Sequence, residues 1–203
     1  MDRHAIVITI MAMGEPNPAR MTYAEYLLAE QSSETKHEYL RGEVYAMAGG
    51  TPTHAGLAMA VGVALSNALA ERPCRVFSSD LRVRVEATDL STYPDLTVVC
   101  GRFEGSATDP DAAINPVLIV EILSDSTEAY DRGEKFAHYR RIPSLREYVL
   151  VSQHRPRLEA YAQNDEGAWV LAEATAGETL ELRSLPGVQL QTDAIYRDPL
   201  APH

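Results

Sequence analysis

Tyr93-Pro94-Asp95-Leu96-Thr97-Val98-Val99 and Val117-Leu118-Ile119-Val120-Glu121-Ile122-Leu123, followed at a short distance by Lys135, decide how this chain reads. The second stretch is apolar enough to be a buried strand, yet Glu121 sits inside it. A carboxylate in such a place demands a cationic partner or a metal ion, because an unpaired buried charge is prohibitive. Side chains alternate along a strand, so Glu121 shares a face with Ile119 and Leu123, and Asp95, at the mouth of its own strand, shares one with Thr97 and Val99. If the two strands are neighbours, both carboxylates converge on one cation. Mg2+ or Mn2+ would suit such a pair, with waters and a phosphodiester completing the shell.

Outward from these strands, the pattern alternates between helix and sheet. Thr22-Tyr23-Ala24-Glu25 has capping-box spacing and predicts a helix over 22–31. Segments 37–40 and 43–47, joined at Arg41-Gly42, read as a β-hairpin ending in Gly49-Gly50. The longest helical stretch is 54–71, stopped by Pro73, with Ala60, Ala64 and Ala68 as a narrow stripe for close packing on a sheet. Strands are predicted at 75–77 and 80–86. In the second, Leu81, Val83 and Val85 face one way and Asp80, Arg82, Arg84 and Glu86 face the other, a polar face expected to be wet or ligand-facing. Residues 88–92 read as a turn into strand 95–99, and a loop covers 101–116. Ser124 to Thr127 offer N-caps for a helix to about residue 141, stopped by Pro143, and strands follow at 147–151, 158–161, 168–171 and 179–182. The expected fold is mixed α/β (α+β): a central mixed sheet flanked by helices, with a β-rich C-terminal part.

At 203 residues and 45% hydrophobic content the chain can bury a substantial core. The expected organisation is a loose N-terminal extension over 1–20, a single domain over 21–198 and a tail over 199–203. The apolar run at 5–13 is too short to span a bilayer, so no membrane partner is expected. Cys74 and Cys100 sit in different segments of a chain large enough to need no disulfide, which points to the cytoplasm. The net charge of -11 argues against broad nonspecific nucleic-acid binding. Residues 131–157 reverse it locally, with seven basic residues against three acids. Arg132, Arg140 and Arg141 within that stretch are the candidate nucleic-acid contacts.

Pro94-Asp95, the Glu121-Ile122-Leu123 strand and the downstream lysine resemble the PD-(D/E)XK nuclease superfamily, and in particular its bacterial Uma-type family of restriction-endonuclease-like proteins. The resemblance spans about 21–196 and rests on an ordered set of short motifs: His37 to Glu43, Gly49-Gly50, His54, Ser79 to Val83, Glu121 to Ser124, Tyr130 to Lys135, Tyr139, and Glu147 to Val149. One departure stands out. The superfamily places a lysine two positions after the acid, and position 123 is leucine. What the resemblance implies is a migrated lysine, Lys135, one of only two lysines against sixteen arginines.

That resemblance implies an endonuclease hydrolysing phosphodiester bonds, with DNA as substrate. Asp95 and Glu121 would hold Mg2+ or Mn2+, and Lys135 would orient the attacking water or offset transition-state charge. Glu38 or Glu43 would add an acid, Asp80 a second cation or its waters, and His54 a hydrogen bond to phosphate. Each residue also has a plainer reading. Glu121 would pair with Arg82 or Arg84, Lys135 would make an exposed pair with Asp131 worth about 0.3–0.5 kcal/mol, and Tyr139 would serve core packing. Two other function classes stay open: a catalytically inactive binding or assembly module, and a hydrolase of a small phosphorylated or nucleotide substrate. Tyr161 and Trp169 offer apolar material for a homodimer.

Overall fold

The computed structural model describes residues 20–198, so the N-terminal extension and the tail 199–203 expected from the sequence lie outside the described residues, Arg20 apart. Helix α1 (Tyr23–Ser32) begins at Thr22, whose hydroxyl accepts from the Glu25 amide while the Glu25 carboxylate accepts from Thr22, the expected capping box. Strands β1 (His37–Leu40) and β2 (Glu43–Ala46) form the hairpin, and the long helix is α2 (Pro52–Ala68).

Strand β3 (Cys74–Ser78) returns from α2, and β4 (Val83–Val85), β5 (Leu90–Thr92), β6 (Leu96–Cys100) and β7 (Leu118–Ile122) follow. Beyond β7 come helix α3 (Glu128–Tyr130), a π-helical turn (Asp131–Lys135), helix α4 (Phe136–Tyr139) and strand β8 (Glu147–Val151). The C-terminal part contains β9 (Arg157–Gln163), β10 (Trp169–Thr175), β11 (Thr179–Glu181), β12 (Gln189–Gln191) and α5 (Thr192–Ile195).

The main sheet has the order β10-β9-β8-β7-β6-β3. Its β7–β8 pair is parallel, because the helical segment between them carries the chain back to the same end, and its other pairs are antiparallel. A second antiparallel sheet, β2-β1-β5-β4, carries the hairpin, and β11-β12 form a third. Both faces of β7 are covered, which explains an apolar run interrupted by Glu121 alone. Leu118, Val120 and Ile122 pack with Leu57, Val61 and Leu65 of α2 and its C-cap Leu69, while Ile119 and Leu123 pack with Phe136, Tyr139 and Tyr148.

Several expectations are corrected. The buried row of α2 is Leu57, Val61 and Leu65, continued by its C-cap Leu69, because these side chains remove more apolar area from water than alanines do; Ala60 and Ala64 pack at its margin and Ala68 is exposed. The strand expected at 80–86 shortens to β4, and its polar side is wet only at its ends, where Asp80 and Glu86 are exposed. Arg84 is buried, bonded to Asp89, with its guanidinium 3.9 Å from the Tyr23 ring centroid. The expected turn at 88–92 contains β5, which pairs with both β1 and β4; the reversal is made by Asp89 at φ 57°. Cys74 and Cys100 are register partners across β3 and β6 and are joined in a disulfide, so the sequence reading that left them unpaired fails.

The continuous helix expected over 124–141 is broken by the π-helical turn. Its Asp131 and Lys135 point inward and are 3% and 6% exposed, whereas α3 buries no residue. Tyr161 and Trp169 are half-buried and pack against the apolar cluster, with ring centroids 4.8 Å and 5.2 Å from that of Phe136. No helix among the described residues is long and apolar enough to cross a membrane.

Candidate active site

The β6–β7 register pairs Leu96 with Val120, so the residues one step beyond, Asp95 and Glu121, face each other at the end of the ladder. Their backbones and carboxylates interlock. The Ile122 amide donates to Asp95 Oδ2 at 2.7 Å, and the Asp95 amide donates to Glu121 Oε2 at 3.3 Å. Each carboxylate is thereby oriented by the partner strand.

Lys135 reaches this point from the π-helical turn. Its Nζ lies 3.0 Å from Glu121 Oε1, 3.2 Å from Glu38 Oε1 and 3.5 Å from Asp131 Oδ1. Glu38 comes from β1, where the Thr92 hydroxyl of β5 donates to it. Tyr139 donates its phenol to Glu121 Oε1 at 2.8 Å. His54, in the first turn of α2 beneath the Thr51 cap, places Nε2 3.2 Å from Asp95 Oδ2.

Three carboxyl groups thus surround one ammonium, with Asp95 beside Glu121, and burial sharpens the imbalance. Burial pushes the Glu121 carboxyl up to about 8, against the pull of Lys135 and with the push of Asp131 and Asp95. Burial likewise raises Asp131 against the pull of Lys135. For Lys135, burial alone would favour the neutral amine, but the charges of Glu121 and Glu38 hold it well above the usual lysine range. The hydrogen bond to Asp95 raises His54 above an ordinary imidazole, in spite of burial. An excess of negative charge at a dry site is a setting in which a divalent cation is favoured over bound protons.

Asp95, Glu121, Lys135, Glu38 and His54 therefore come together, lining one cleft of about 550 Å³. Glu43 and Asp80 do not line it. Glu43 accepts from the Tyr45 phenol on the hairpin, and Asp80 is exposed and pairs with Lys36 at 2.5 Å. Arg132 is occupied by Glu128 at 2.7 Å and Glu159 at 2.6 Å, Arg140 lies 5.0 Å from the Phe136 ring centroid, and Arg141 is exposed; none of the three lines the cleft. The arginines considered as partners for Glu121 go elsewhere, Arg82 to Asp109 and Arg84 to Asp89.

The Asp131–Lys135 pair is not the exposed helix pair that the spacing suggested, because both side chains are buried. Asp131 and Tyr139 are the members of the cluster to which the sequence reading gave plainer roles, an exposed ion pair and core packing. Their signal was the four-residue spacing on either side of Lys135, which places all three along one helical stripe. Among the described residues no group of three or more His, Cys, Asp or Glu side chains is arranged to hold a metal ion unaided. The donor set available is the all-oxygen pair Asp95 and Glu121. It suits a hard cation that keeps water and substrate oxygens in its remaining positions, and not the nitrogen and sulfur sites of zinc.

An uncharacterized protein of Synechocystis sp. (strain ATCC 27184 / PCC 6803 / Kazusa), slr1290, is 37% identical over 178 residues, covering 88% of this chain and 92% of that one. A second from the same organism, sll1609, is 33% identical over 162 residues, covering 80% and 91%. The crystal structure of "a putative nuclease belonging to DUF820" from Anabaena variabilis superposes with a TM-score of 0.69 at 16% identity, covering 85% of this chain and 96% of that one, a likeness of fold. The family described as "Uma2: Putative restriction endonuclease" matches residues 23–193, and the chain belongs to that family.

Proposed function

We propose that this protein is a metal-dependent nuclease that hydrolyses phosphodiester bonds in DNA at the Asp95–Glu121 cleft. The observation that carries the reading is the meeting of two strand-borne carboxylates with the Lys135 ammonium, 3.0 Å from Glu121. Asp95 and Glu121 would hold Mg2+ or Mn2+. The chemistry such a cation would supply there is Lewis-acid stabilisation of charge on a phosphoryl oxygen and a more acidic water.

The remaining work falls to the chain's own residues. Lys135, kept protonated by the carboxylates around it, offsets negative charge growing on the phosphoryl group. Glu38 and Asp131 hold Lys135 in place, and Tyr139 fixes the Glu121 carboxylate from behind. His54, beside Asp95 and lining the cleft, can offer an imidazole N–H to a phosphate oxygen.

The test is cleavage of plasmid and single-stranded DNA with Mg2+ or Mn2+. Asp95→Ala and Glu121→Ala should each abolish it, and undiminished cleavage by either variant would refute the assignment. A second reading, an inactive binding module, draws on Leu123, which is packed in an apolar cluster where the superfamily has its lysine. Calorimetric titration separates the two, since only the nuclease reading requires Mn2+ binding that Asp95→Ala removes.

A further inference from the structure

The cleft has a second wall that the hydrolytic groups leave unused. In the β1–β2 register Tyr45 is the partner of Glu38, so its ring stands on the same side of the hairpin as that carboxylate. Met47, two residues on, lines the same cleft, its amide held by the Lys36 carbonyl at 2.9 Å. Tyr130 enters from α3, directly before Asp131.

All three side chains are only half-buried, and none belongs to either apolar core cluster. Neither Tyr45 nor Tyr130 packs against another ring among the described residues, unlike the tyrosines around α1 and those around Tyr139. The Tyr130 hydroxyl has no hydrogen-bond partner among the described residues, whereas the Tyr45 hydroxyl is tethered by Glu43. Two aromatic faces and a thioether are thus presented to the cleft beside the carboxylates.

The charge of the cleft says what such a wall is for. Among the described residues Lys135 is the one lysine or arginine lining it, and its ammonium is already held by Glu121, Glu38 and Asp131. Duplex binding draws its affinity from lysine and arginine contacts to many phosphates, and this cleft offers none to spare. Binding energy must instead come from a base and sugar, and stacking on aromatic rings supplies it for any base whose faces are free. Bases in a duplex have their faces covered by neighbours.

We infer that the cleft takes one unstacked nucleotide, with its phosphate toward Asp95 and Glu121 and its base against Tyr45, Met47 and Tyr130. The preferred substrate is then single-stranded, not duplex. This rests on the nuclease reading above and narrows its substrate. A free nucleotide and a nucleotide within a strand present the same chemistry, and the experiment separates them.

The full chain is titrated at low temperature with Mg2+ present, following the fluorescence anisotropy of a labelled 12-nucleotide single strand and of its 12-base-pair duplex, with gels confirming that both stay intact. Competition by unlabelled dTMP is measured alongside. The single strand should bind about tenfold or more tightly than the duplex, and Tyr45→Ala with Met47→Ala, or Tyr130→Ala, should weaken it about tenfold. Tyr45→Leu, which keeps apolar bulk without a ring, should show a similar loss and guards against misfolding of the hairpin. Calorimetric Mn2+ binding should be unchanged in all of them.

Competition by dTMP at the strength of the strand assigns the cleft to a free nucleotide and overturns the single-strand preference, and its failure to compete at that strength supports the polymer. Equal binding of strand and duplex, undiminished binding by the wall variants, or bound Mn2+ without strand binding overturns the inference. Plasmid nicking that survives loss of the wall overturns it too, while leaving the nuclease reading intact. Failure to bind Mn2+ and to cut any nucleic acid removes the nuclease reading itself.

Discussion

The ammonium of Lys135 lies 3.0 Å from Oε1 of Glu121, although fourteen positions separate the two in the chain. The contact joins a strand of the main sheet to the π-helical turn that follows it. Both partners are nearly inaccessible to solvent, so each is the other's main compensation for burial.

Lys135→Met removes the cation from a pocket holding Glu121, Glu38 and Asp131. Stability should fall by about 3–5 kcal/mol, the usual result of stripping one partner from a buried ion pair. Urea denaturation at neutral pH measures it, and a loss under about 1 kcal/mol would mean that the carboxyls neutralise themselves by taking up protons.

Tyr139→Phe deletes one hydroxyl and leaves the ring packing on Tyr148 in place. Glu121 Oε1 loses a buried donor, so the variant should be less stable by about 1.5–3 kcal/mol. A change within error in the denaturation midpoint would return Tyr139 to a packing role alone.

The double variant Lys135→Ala with Leu123→Lys places a lysine where the superfamily has one. It should not regain the activity lost in Lys135→Ala. Leu123 is 3% exposed among Phe136, Tyr139 and Tyr148, and a lysine there must give up its hydration in an apolar cluster. Recovery of metal-dependent cleavage in the double variant would show that position 123 can still serve the site.

Asp109 tests the acid limb of stability away from the cleft. Burial opposes its charge, but Arg82, at 2.9 Å and 3.0 Å, and the Tyr23 phenol, at 2.9 Å, overcome this and hold its carboxyl below the usual range. A carboxyl depressed by folding stabilises the protein above its unfolded pKa, near 3.8, and that contribution disappears as pH falls through the folded value. Asp109→Asn should therefore cost roughly 2 kcal/mol at pH 7, with the gap to the parent closing below about pH 3.8. Denaturation curves at pH 7 and at successively lower pH follow this gap, and a gap that stays constant with pH would contradict it.

Much of the architecture was legible because it depends on neighbours in the chain. The Thr22–Glu25 capping box and the turn at Arg41-Gly42 act over three or four residues, and both are found as read. The helical segment after β7 misled because a π-helical turn has no pattern distinct from an α-helix of the same residues; only the sites that Asp131 and Lys135 fill show it. Arg84 misled for a similar reason, since alternation places a side chain on a face but does not say whether α1 covers that face.

The sequence by itself determined that Asp95 stands at the mouth of one apolar strand and Glu121 inside another, and that Glu121 needs a cation, because alternation and hydrophobicity are local properties. Tertiary structure alone decided which cation meets it. Arg82 and Arg84 are drawn away to Asp109 and Asp89, while the crossover from β7 to β8 brings Lys135 to Glu121 and, with it, Glu38 from β1. Such contacts depend on distances between segments far apart in the chain, which no local pattern records.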